Sequence, residues 1–291
     1  MISIIINSFN EPKTIGKAIE SFLSQNIKEK YELIVCAPDN ETLDIARKYK
    51  KVKIFKDPGK GKSYALNLLI PKLKGKIIIL SDGDVFVGKN SVNKILEKFK
   101  DKNIGCVSAQ PVSSDSINNM FGYWGHVLCY AAHILRKERA EQNEFLECSG
   151  YLWAFKNKII INFPKDAAED TIVPILFYLK GWKIAYAPEA KVYVKFPNNL
   201  HDFIEQKKRT AKGHESLYKY VNVKKFPRMK TFRNEVMDSW KIFSFPKNLK
   251  EFIYTFLLFP LRLYIWMLVF YHTKIKKQEY KDDWKRVEST K

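Results

Sequence analysis

Short apolar runs alternate with amphipathic segments through residues 1–110, and this alternation constrains the fold more than any other feature of the sequence. The runs have the length of buried strands, and the segments between them carry apolar residues at helical spacing. Such alternation is typical of an α/β fold with a doubly wound, mostly parallel sheet. The predicted strands are 2–7, 32–36, 52–55, 76–80 and 104–109, and the predicted helices are 12–23, 43–49, 62–73 and 92–99.

The pattern changes after residue 110, where strands and helices no longer alternate regularly. Apolar spacing predicts helices over 117–144, 169–179 and 202–220, and strands over 148–155, 183–187 and 191–195. We therefore expect residues 1–110 and 111–222 to form two halves of one domain. Residues 223–291 are expected to form a separate helical region.

Net charge limits the classes of partner. The 291 residues include 51 Lys and Arg against 31 Asp and Glu, a formal charge of +20, and more than half of the excess lies in residues 201–291. Hydrophobic residues at 46% exclude a largely disordered chain. A basic protein favours nucleic acid, a phosphorylated small molecule or an anionic lipid surface. The sequence shows no recognised nucleic-acid-binding motif, so a basic nucleic-acid-binding protein is kept only as an alternative, and we expect no nucleic-acid partner.

Cysteine usage indicates the compartment. Cys36, Cys106, Cys129 and Cys148 are dispersed, without zinc-site spacing or a disulfide framework. This usage favours a reducing environment. The first residues lack the basic start of a secretory signal and begin at once as a strand, so we expect no such signal.

A glycine-lysine loop, residues 57–63, follows the third predicted strand and opens a helix. Backbone N–H groups at a helix start can bind phosphate, with help from Lys60 and Lys62. The ending Gly-Lys-Ser also resembles a Walker A loop, which keeps a P-loop-like NTPase as an alternative. Against it, Lys56 stands where the first Walker glycine belongs, and the loop follows the third strand instead of the first. A solvated turn without a ligand is the other alternative.

The sharpest candidate site is Asp82-Gly83-Asp84, at the end of a predicted buried strand. Ligands of open α/β sheets bind at the carboxyl ends of strands. Alternate residues of an extended chain point to the same side, so both carboxylates can serve one site. Two neighbouring carboxylates repel each other unless a cation lies between them, and hard oxygen ligands suit Mg²⁺ or Mn²⁺. A turn with two solvated aspartates is the competing interpretation.

These motifs, taken in order, resemble the family 2 glycosyltransferases, which have a GT-A fold. The resemblance extends from residue 2 to about residue 212. No single motif is decisive, but the ordered set is specific. The matching segments are 4–11, 59–67, Asp82-Gly83-Asp84, Ser149-Gly150, Glu169-Asp170 and 206–209.

The resemblance implies a site for a nucleotide-sugar donor, formed mainly by residues 1–110. Asp39 would contact the base, and Gln206 and Arg209 match the family's Gln-x-x-Arg-Trp segment near the acceptor and the diphosphate. The residues so implied are Ser8, Asn10, Glu11, Asp39, Lys60, Lys62, Asp82, Gln206 and Arg209.

The resemblance also implies the catalytic and metal-binding residues. Asp84, with Asp82, would hold Mn²⁺ or Mg²⁺ on the diphosphate. Asp170 would be the general base, with Glu169 beside it, and residues 111–222 would form the acceptor and catalytic half. His214 could reach the metal, although a surface histidine is the expected interpretation.

Two departures from the family pattern affect these roles. The second strand of family members usually leads into an Asp-Asp-Gly-Ser-like run, whereas here Ala37-Pro38-Asp39-Asn40 follows, which affects the partner of Asp39. Thr210 stands where processive enzymes carry Trp, which argues against a cellulose- or hyaluronan-type synthase.

The expected reaction is an inverting transfer of sugar from a UDP- or GDP-sugar to a lipid-linked or glycan acceptor. In such a transfer the acceptor hydroxyl attacks the anomeric carbon opposite the nucleotide, and a positioned carboxylate takes its proton. Metal and fixed cations stabilise the departing diphosphate.

Residues 252–271 form a strongly apolar run that contains one charge, Arg262, and one proline, Pro260. Twenty such residues are long enough to span a bilayer, but a charge in mid-span is unfavourable. Lysines flank both ends, which suits a segment lying in one interface of an anionic membrane. We therefore expect an in-plane or re-entrant segment on the cytoplasmic face of the cell membrane. Packing against the rest of the chain and a true span are the alternatives.

Overall fold

The computed structural model describes residues 1–222, 226–278 and 288–290. Within these residues the chain forms one sheet of eight strands in the order β3-β2-β1-β4-β7-β6-β8-β5. The strands are β1 (Ile2–Asn7), β2 (Tyr31–Ala37), β3 (Val52–Lys56), β4 (Ile77–Asp82), β5 (Phe86–Val87), β6 (Ile104–Ser113), β7 (Leu152–Lys156) and β8 (Lys183–Val194). The helices are α1 (Ile15–Leu23), α2 (Asn40–Arg47), α3 (Lys62–Leu69), α4 (Ser91–Lys98), α5 (Met120–Glu141), α6 (Glu169–Leu179), α7 (Leu200–Glu215), α8 (Phe232–Asp238) and α9 (Leu249–Phe270).

The first half of the sheet is parallel, as the alternation of strands and helices predicts. β1 lies between β2 and β4, parallel to both, and β2 pairs in parallel with β3. The second half is mixed, because β7 is antiparallel to both β4 and β6 whereas β6 and β8 are parallel. The apolar run of β7 is buried on both faces and carries no signal for strand direction, so its orientation could not be predicted.

Some predicted bounds were wrong. The strand predicted over 148–155 is limited to Leu152–Lys156, and the helix predicted over 202–220 is Leu200–Glu215. The two strands expected over 183–187 and 191–195 form the single strand β8. In its pairing with β6, Ala109 lies opposite Ala187 but Gln110 lies opposite Lys191. Residues 188–190 therefore form a bulge, and Pro188, which cannot donate to the ladder, is accommodated there.

Apolar cores cover both faces of the sheet, as expected for a doubly wound fold. Ile78 and Leu80 of β4 face a core that contains Trp153 and Phe177. Ile79 faces the opposite core. The continuous apolar sequence of the central strands follows from this burial on both sides.

The C-terminal helices pack on the rest of the chain through a third apolar core. The hydroxyl groups of Tyr123 on α5 and Thr255 on α9 are 2.6 Å apart, and Trp124 Nε1 donates to the Tyr254 carbonyl at 2.7 Å. Leu258 and Ile265 are buried in the same core, against α5 and α7. One face of α9 therefore packs against the preceding domain along most of its length.

Candidate active site

A cavity of about 810 Å³ lies at the carboxyl edge of β1 and β4 and extends to α9. Strand ends at this edge of an open α/β sheet are the expected position of a ligand site. Its walls include eight of the residues predicted from the sequence. These are Glu11, Lys62, Asp82, Asp84, Glu169, Asp170, Gln206 and Arg209.

Lys62, at the start of α3, joins two of the acidic residues. Its Nζ lies 2.7 Å from Asp82 Oδ1 and 2.6 Å from Glu169 Oε1, and its side chain is 12% exposed. Burial alone would lower the pKa of Lys62, but the two carboxylates raise it well above its usual value, so Lys62 stays charged. The lysine is directed at carboxylates of its own chain, which differs from the phosphate-binding role of a P-loop lysine.

Asp82 and Asp84 present oxygen ligands to the cavity. Burial raises the pKa of Asp82 to about 6; Lys62 opposes this shift, while the negative charge of Asp84 adds to it. A divalent cation relieves such repulsion, and Mg²⁺ commonly binds one or two carboxylates and completes its shell with phosphate oxygens and water. In the described residues no cluster of three or more His, Cys, Asp or Glu side chains is arranged around a metal position. The donor set fits a divalent cation that takes its remaining ligands from a bound molecule or from water.

Asp170 lies in the first turn of α6 and lines the cavity. Burial, and then the charge of Glu169, raise the pKa of Asp170 to about 6. Gly150 provides the space for this carboxylate, because a Cβ atom at position 150 would lie 2.8 Å from Asp170 Oδ2. Since Glu169 is bound to Lys62, Asp170 is the better placed of the two to accept a proton.

The turn after β1 is tightly packed against the Asp82-Gly83-Asp84 segment. Ser8 Oγ donates to Glu11 Oε2 at 2.6 Å, and a Cβ atom at Gly83 would lie 2.4 Å from Ser8 Oγ. Only glycine allows this approach. Ser8 therefore supports Glu11, which lines the cavity, while Ser8 itself is not among the lining residues.

Asn7, at the end of β1, was not among the predicted site residues. It is 2% exposed and lines the cavity, and its amide N and O have no hydrogen-bond partner in the described part of the chain. Buried amides are normally hydrogen-bonded, so this group is suited to a ligand. A polar residue closing a buried apolar strand was the available signal.

Four predicted donor-site residues do not line the cavity: Ser8, Asn10, Asp39 and Lys60. Asp39 caps α2 by accepting from Thr42 N at 2.8 Å, and it also accepts from Asn10 N at 2.7 Å. Lys60 is exposed, with its Nζ 5.7 Å from the centroid of the Tyr64 ring. Their roles in donor binding stay predictions.

The far wall of the cavity comes from α7, α8 and α9, and sequence reasoning missed part of it. Arg262, interpreted as an unfavourable charge in an apolar run, donates to Glu235 from Nε at 2.5 Å and from Nη2 at 2.7 Å. Trp266 Nε1 donates to the same carboxylate at 2.9 Å. Burial alone would raise the pKa of Glu235, but the Arg262 hydrogen bonds keep it below its usual value. An isolated Arg in an apolar helix could have indicated such a buried pair.

The surface position expected for His214 was wrong. The side chain is 4% exposed and lines the cavity, with Nδ1 3.6 Å from Glu147 Oε2. Burial lowers the pKa of His214 to about 4, so the ring is neutral at physiological pH. Its helix is basic and polar in sequence, which gave no indication that this residue is buried beside Glu147.

Comparisons with known proteins agree with this geometry. The family model described as glycosyl transferase family 2 matches residues 3–162, and the model for glycosyl transferase family group 2 matches residues 108–273. A relative from Staphylococcus aureus, named poly-beta-1,6-N-acetyl-D-glucosamine synthase, is 25% identical over 245 residues. That alignment covers 78% of this chain and 58% of the relative, so the chain spans little more than half of the relative's length.

Two solved structures share the fold. A mannosyltransferase from Pyrobaculum calidifontis, solved with GDP-Man and Mn²⁺, superposes with a TM-score of 0.68 at 15% identity, covering 96% of this chain and 88% of that one. TarS residues 1–349 from S. aureus, solved with UDP, give a TM-score of 0.51 at 17% identity, covering 76% and 67%.

The predicted GT-A fold is confirmed by the mannosyltransferase superposition, and the predicted family by the two family models. The comparisons do not favour the P-loop NTPase or the nucleic-acid-binding alternative. The chain belongs to glycosyl transferase family 2.

Proposed function

We propose that this protein is an inverting glycosyltransferase that moves a sugar from a nucleoside diphosphate donor to a lipid-linked or glycan acceptor. The observation that carries the proposal is the grouping of four carboxylates and one lysine in a single cavity. Lys62 binds Asp82 and Glu169, and Asp84 and Asp170 line the same walls. The two similar solved structures, the mannosyltransferase with GDP-Man and TarS with UDP, support a nucleotide-sugar donor.

In the proposed reaction, Asp170 accepts the proton of the acceptor hydroxyl. The hydroxyl oxygen forms a bond to the anomeric carbon, and the bond from that carbon to the diphosphate oxygen breaks. A Mn²⁺ or Mg²⁺ ion held by Asp84, with Asp82, would neutralise charge on the departing diphosphate. Arg209, which lines the same cavity, adds a fixed positive charge. The side-chain amide of Asn7, at the end of β1, has no hydrogen-bond partner among the described residues and would bind the nucleotide.

Release of nucleoside diphosphate and the anomeric configuration of the product test this proposal together. We expect an acceptor-dependent release from a UDP- or GDP-sugar, and a product whose NMR coupling constants show the opposite configuration to the donor. Retention of configuration would contradict the roles of Asp170 and Glu169, since a retaining route needs a covalent or front-face mechanism.

Gly150→Ala is expected to lower kcat by about 10- to 100-fold, since misplacement of a catalytic group by about 1 Å can cost this much. The new Cβ atom would meet Asp170 Oδ2 at 2.8 Å, so this flexible carboxylate must move. The melting temperature should change little, because the displaced atom is the end of a side chain. A kinetic comparison with Ser24→Ala, an exposed position outside the cavity, checks this. An unchanged kcat in Gly150→Ala would contradict it.

The pH dependence of transfer should report the ionisation of Asp170. Burial raises the pKa of this carboxyl to about 6, and a base acts only when ionised. Therefore kcat/KM should be constant above about pH 7 and fall as pH drops through 6, approaching tenfold per unit. The residual kcat/KM of Asp170→Asn should not show this fall at acid pH. A profile that rises towards acid pH would contradict the assignment.

We further propose that the protein associates with the cytoplasmic face of an anionic membrane through one face of α9. Leu249–Ile275 is long and apolar enough to cross a membrane, and only 22% of its most apolar 18-residue stretch is buried. Its exposed face carries Phe252, Ile253 and Phe256. The opposite face packs on α5 and α7, and α7 is basic, which favours an in-plane position over a span.

Ile253→Glu with Phe256→Glu is expected to weaken binding to vesicles that contain anionic lipid by at least about tenfold, since each apolar side chain contributes on the order of 1.5–3 kcal/mol when buried. Co-sedimentation measures this effect. A matched control carries Leu68→Glu with Ile161→Glu, two exposed apolar residues outside α9. Equal vesicle binding by both double variants would contradict the proposed surface.

A further inference from the structure

The cavity has a second half, beyond the catalytic carboxylates, whose walls are largely apolar. Phe259 and Trp266 of α9 line it, together with Phe232 and Val236 of α8 and Leu263 of α9. Phe232, Val236 and Leu263 are also 46%, 56% and 51% exposed. These three residues therefore form an opening of the cavity, here called the portal, between α8 and α9.

Exposed apolar residues lie next to the portal in sequence. Val236 is followed by Met237 and Trp240, which are 61% and 68% exposed. Apolar surface of this extent in a soluble environment marks a site for a partner or a lipid. A hydrocarbon chain can pass from this surface through the portal without leaving apolar contact.

A further lysine, Lys207 of α7, lines the same cavity. Its Nζ lies 4.8 Å from the ring centroid of Phe196 and 5.5 Å from that of Phe203. In the part of the chain that the structure describes, no carboxylate lies within ion-pair distance of it. Lys62, by contrast, has two such partners. Burial, and then the charge of Arg262, lower the pKa of Lys207 to about 7, as expected for a lysine whose compensating anion is not part of the protein.

Two further cations face the same space. Lys230 and Arg262 line the cavity, and the positive charges of both lower the pKa of Lys207. The planar guanidinium of Arg262 is fixed by Glu235, so its position does not depend on a ligand. Lys230 Nζ also lies 3.7 Å from Glu147 Oε2, and Arg262 is paired with Glu235, so these three cations face two acidic partners. The remaining positive charge, at Lys207, favours an anion beside it.

We propose that this half of the cavity is an acceptor subsite for a phosphate-bearing lipid, with the phosphate at Lys207 and the hydrocarbon leaving through the portal. This inference rests on the proposed function, and it selects the lipid-linked acceptor over a free glycan. A glycan chain needs polar walls and stacking surfaces along its length, whereas this exit is lined by Phe232, Val236 and Leu263. The sugar carried by the lipid phosphate then presents its hydroxyl to Asp170.

Hexadecyl phosphate in mixed micelles is a suitable probe, with hexadecanol and inorganic phosphate as the two partial ligands. We expect calorimetry to show binding of hexadecyl phosphate at least tenfold tighter than either partial ligand. Lys207→Met keeps the stem that packs on Phe196 and Phe203 and removes the charge. This variant should raise the Kd for hexadecyl phosphate at least tenfold, while the Kd for nucleoside diphosphate changes less than twofold.

Lys208→Met is the matched control, because Lys208 is paired with Glu205 and does not line the cavity. It should bind hexadecyl phosphate like the unmodified protein. The proposal would be overturned if Lys207→Met bound hexadecyl phosphate as tightly as the unmodified protein does. It would also be overturned if inorganic phosphate bound as tightly as hexadecyl phosphate. If nucleoside diphosphate binds and hexadecyl phosphate does not, only this inference fails; if nucleoside diphosphate does not bind either, the proposed function fails.

The portal has its own test. Leu263→Trp should narrow the portal and raise the Kd for hexadecyl phosphate at least fivefold. The Kd for inorganic phosphate should not change. Leu257→Trp adds the same side chain on the exposed face of α9, away from the cavity, and should have no effect. Equal weakening by both variants would show that the alkyl chain lies on the outer surface of α9, and it would overturn the portal.

Discussion

Asp170→Asn is expected to lower the rate of sugar transfer by about 10²–10⁴, the usual contribution of a positioned general base. Asparagine keeps the shape of the side chain beside Gly150 but cannot accept the proton. Donor binding should persist, because Lys62 still bridges Asp82 and Glu169. Steady-state kinetics with both substrates, together with calorimetry of nucleoside diphosphate, separate these two effects.

The matched control for this variant is Asp166→Asn, in the loop just before α6. Asp166 accepts a hydrogen bond from the Tyr220 hydroxyl at 2.9 Å and does not line the cavity. Its removal should leave kcat within about twofold. Transfer by Asp170→Asn at more than half the unmodified rate would contradict its assignment as base, and the proton acceptor would then have to lie elsewhere.

Asp84→Ala should abolish the part of donor binding that depends on metal. Mn²⁺ or Mg²⁺ is expected to tighten nucleoside diphosphate binding in the unmodified protein, and in the variant the Kd with metal should rise to the metal-free value. Stability should not fall, because the charge of Asp84 contributes to the raised pKa of Asp82 and its loss relieves that repulsion. Calorimetry with and without metal measures the first effect, and thermal unfolding measures the second.

Asp44→Ala is the control for Asp84→Ala, because Asp44 forms a surface ion pair with Arg47 and lies outside the cavity. Its metal dependence should equal that of the unmodified protein. If Mn²⁺ tightens nucleotide binding by the same factor in Asp84→Ala, the metal ligand is not Asp84.

The parallel half of the fold could be predicted because its strands are buried on both faces. Ile4–Ile6 and Ile78–Leu80 give continuous apolar runs with helical segments between them. Strand direction and pairing in the second half depend on contacts distant in sequence. The antiparallel insertion of β7 therefore left no local signal. Pro188 did signal an interruption, but the local sequence could not show that residues 188–190 form a bulge within one strand instead of a gap between two.

The positions of the proposed metal ligand, Asp84, and the proposed base, Asp170, could be predicted because a strand end and a helix start fix them. Asp84 follows β4 and Asp170 lies in the first turn of α6, so local sequence placed both. The wall proposed for the acceptor could not be predicted in the same way. Lys207 and Arg262 belong to helices that meet only in the folded chain, and in sequence each is a charge on a basic or apolar helix.

The central claim is that this cavity binds a nucleoside diphosphate with a divalent metal. Thermal unfolding with UDP and GDP, each with Mn²⁺, Mg²⁺ or a chelator, tests it most directly. A nucleotide at about 100 times its Kd should stabilise the fold by about 2.7 kcal/mol, which raises the melting temperature by several degrees. We predict this rise for at least one of the two nucleotides, dependent on metal and absent in Asp84→Ala. No rise with either nucleotide, or the same rise in the presence of chelator, would contradict the claim.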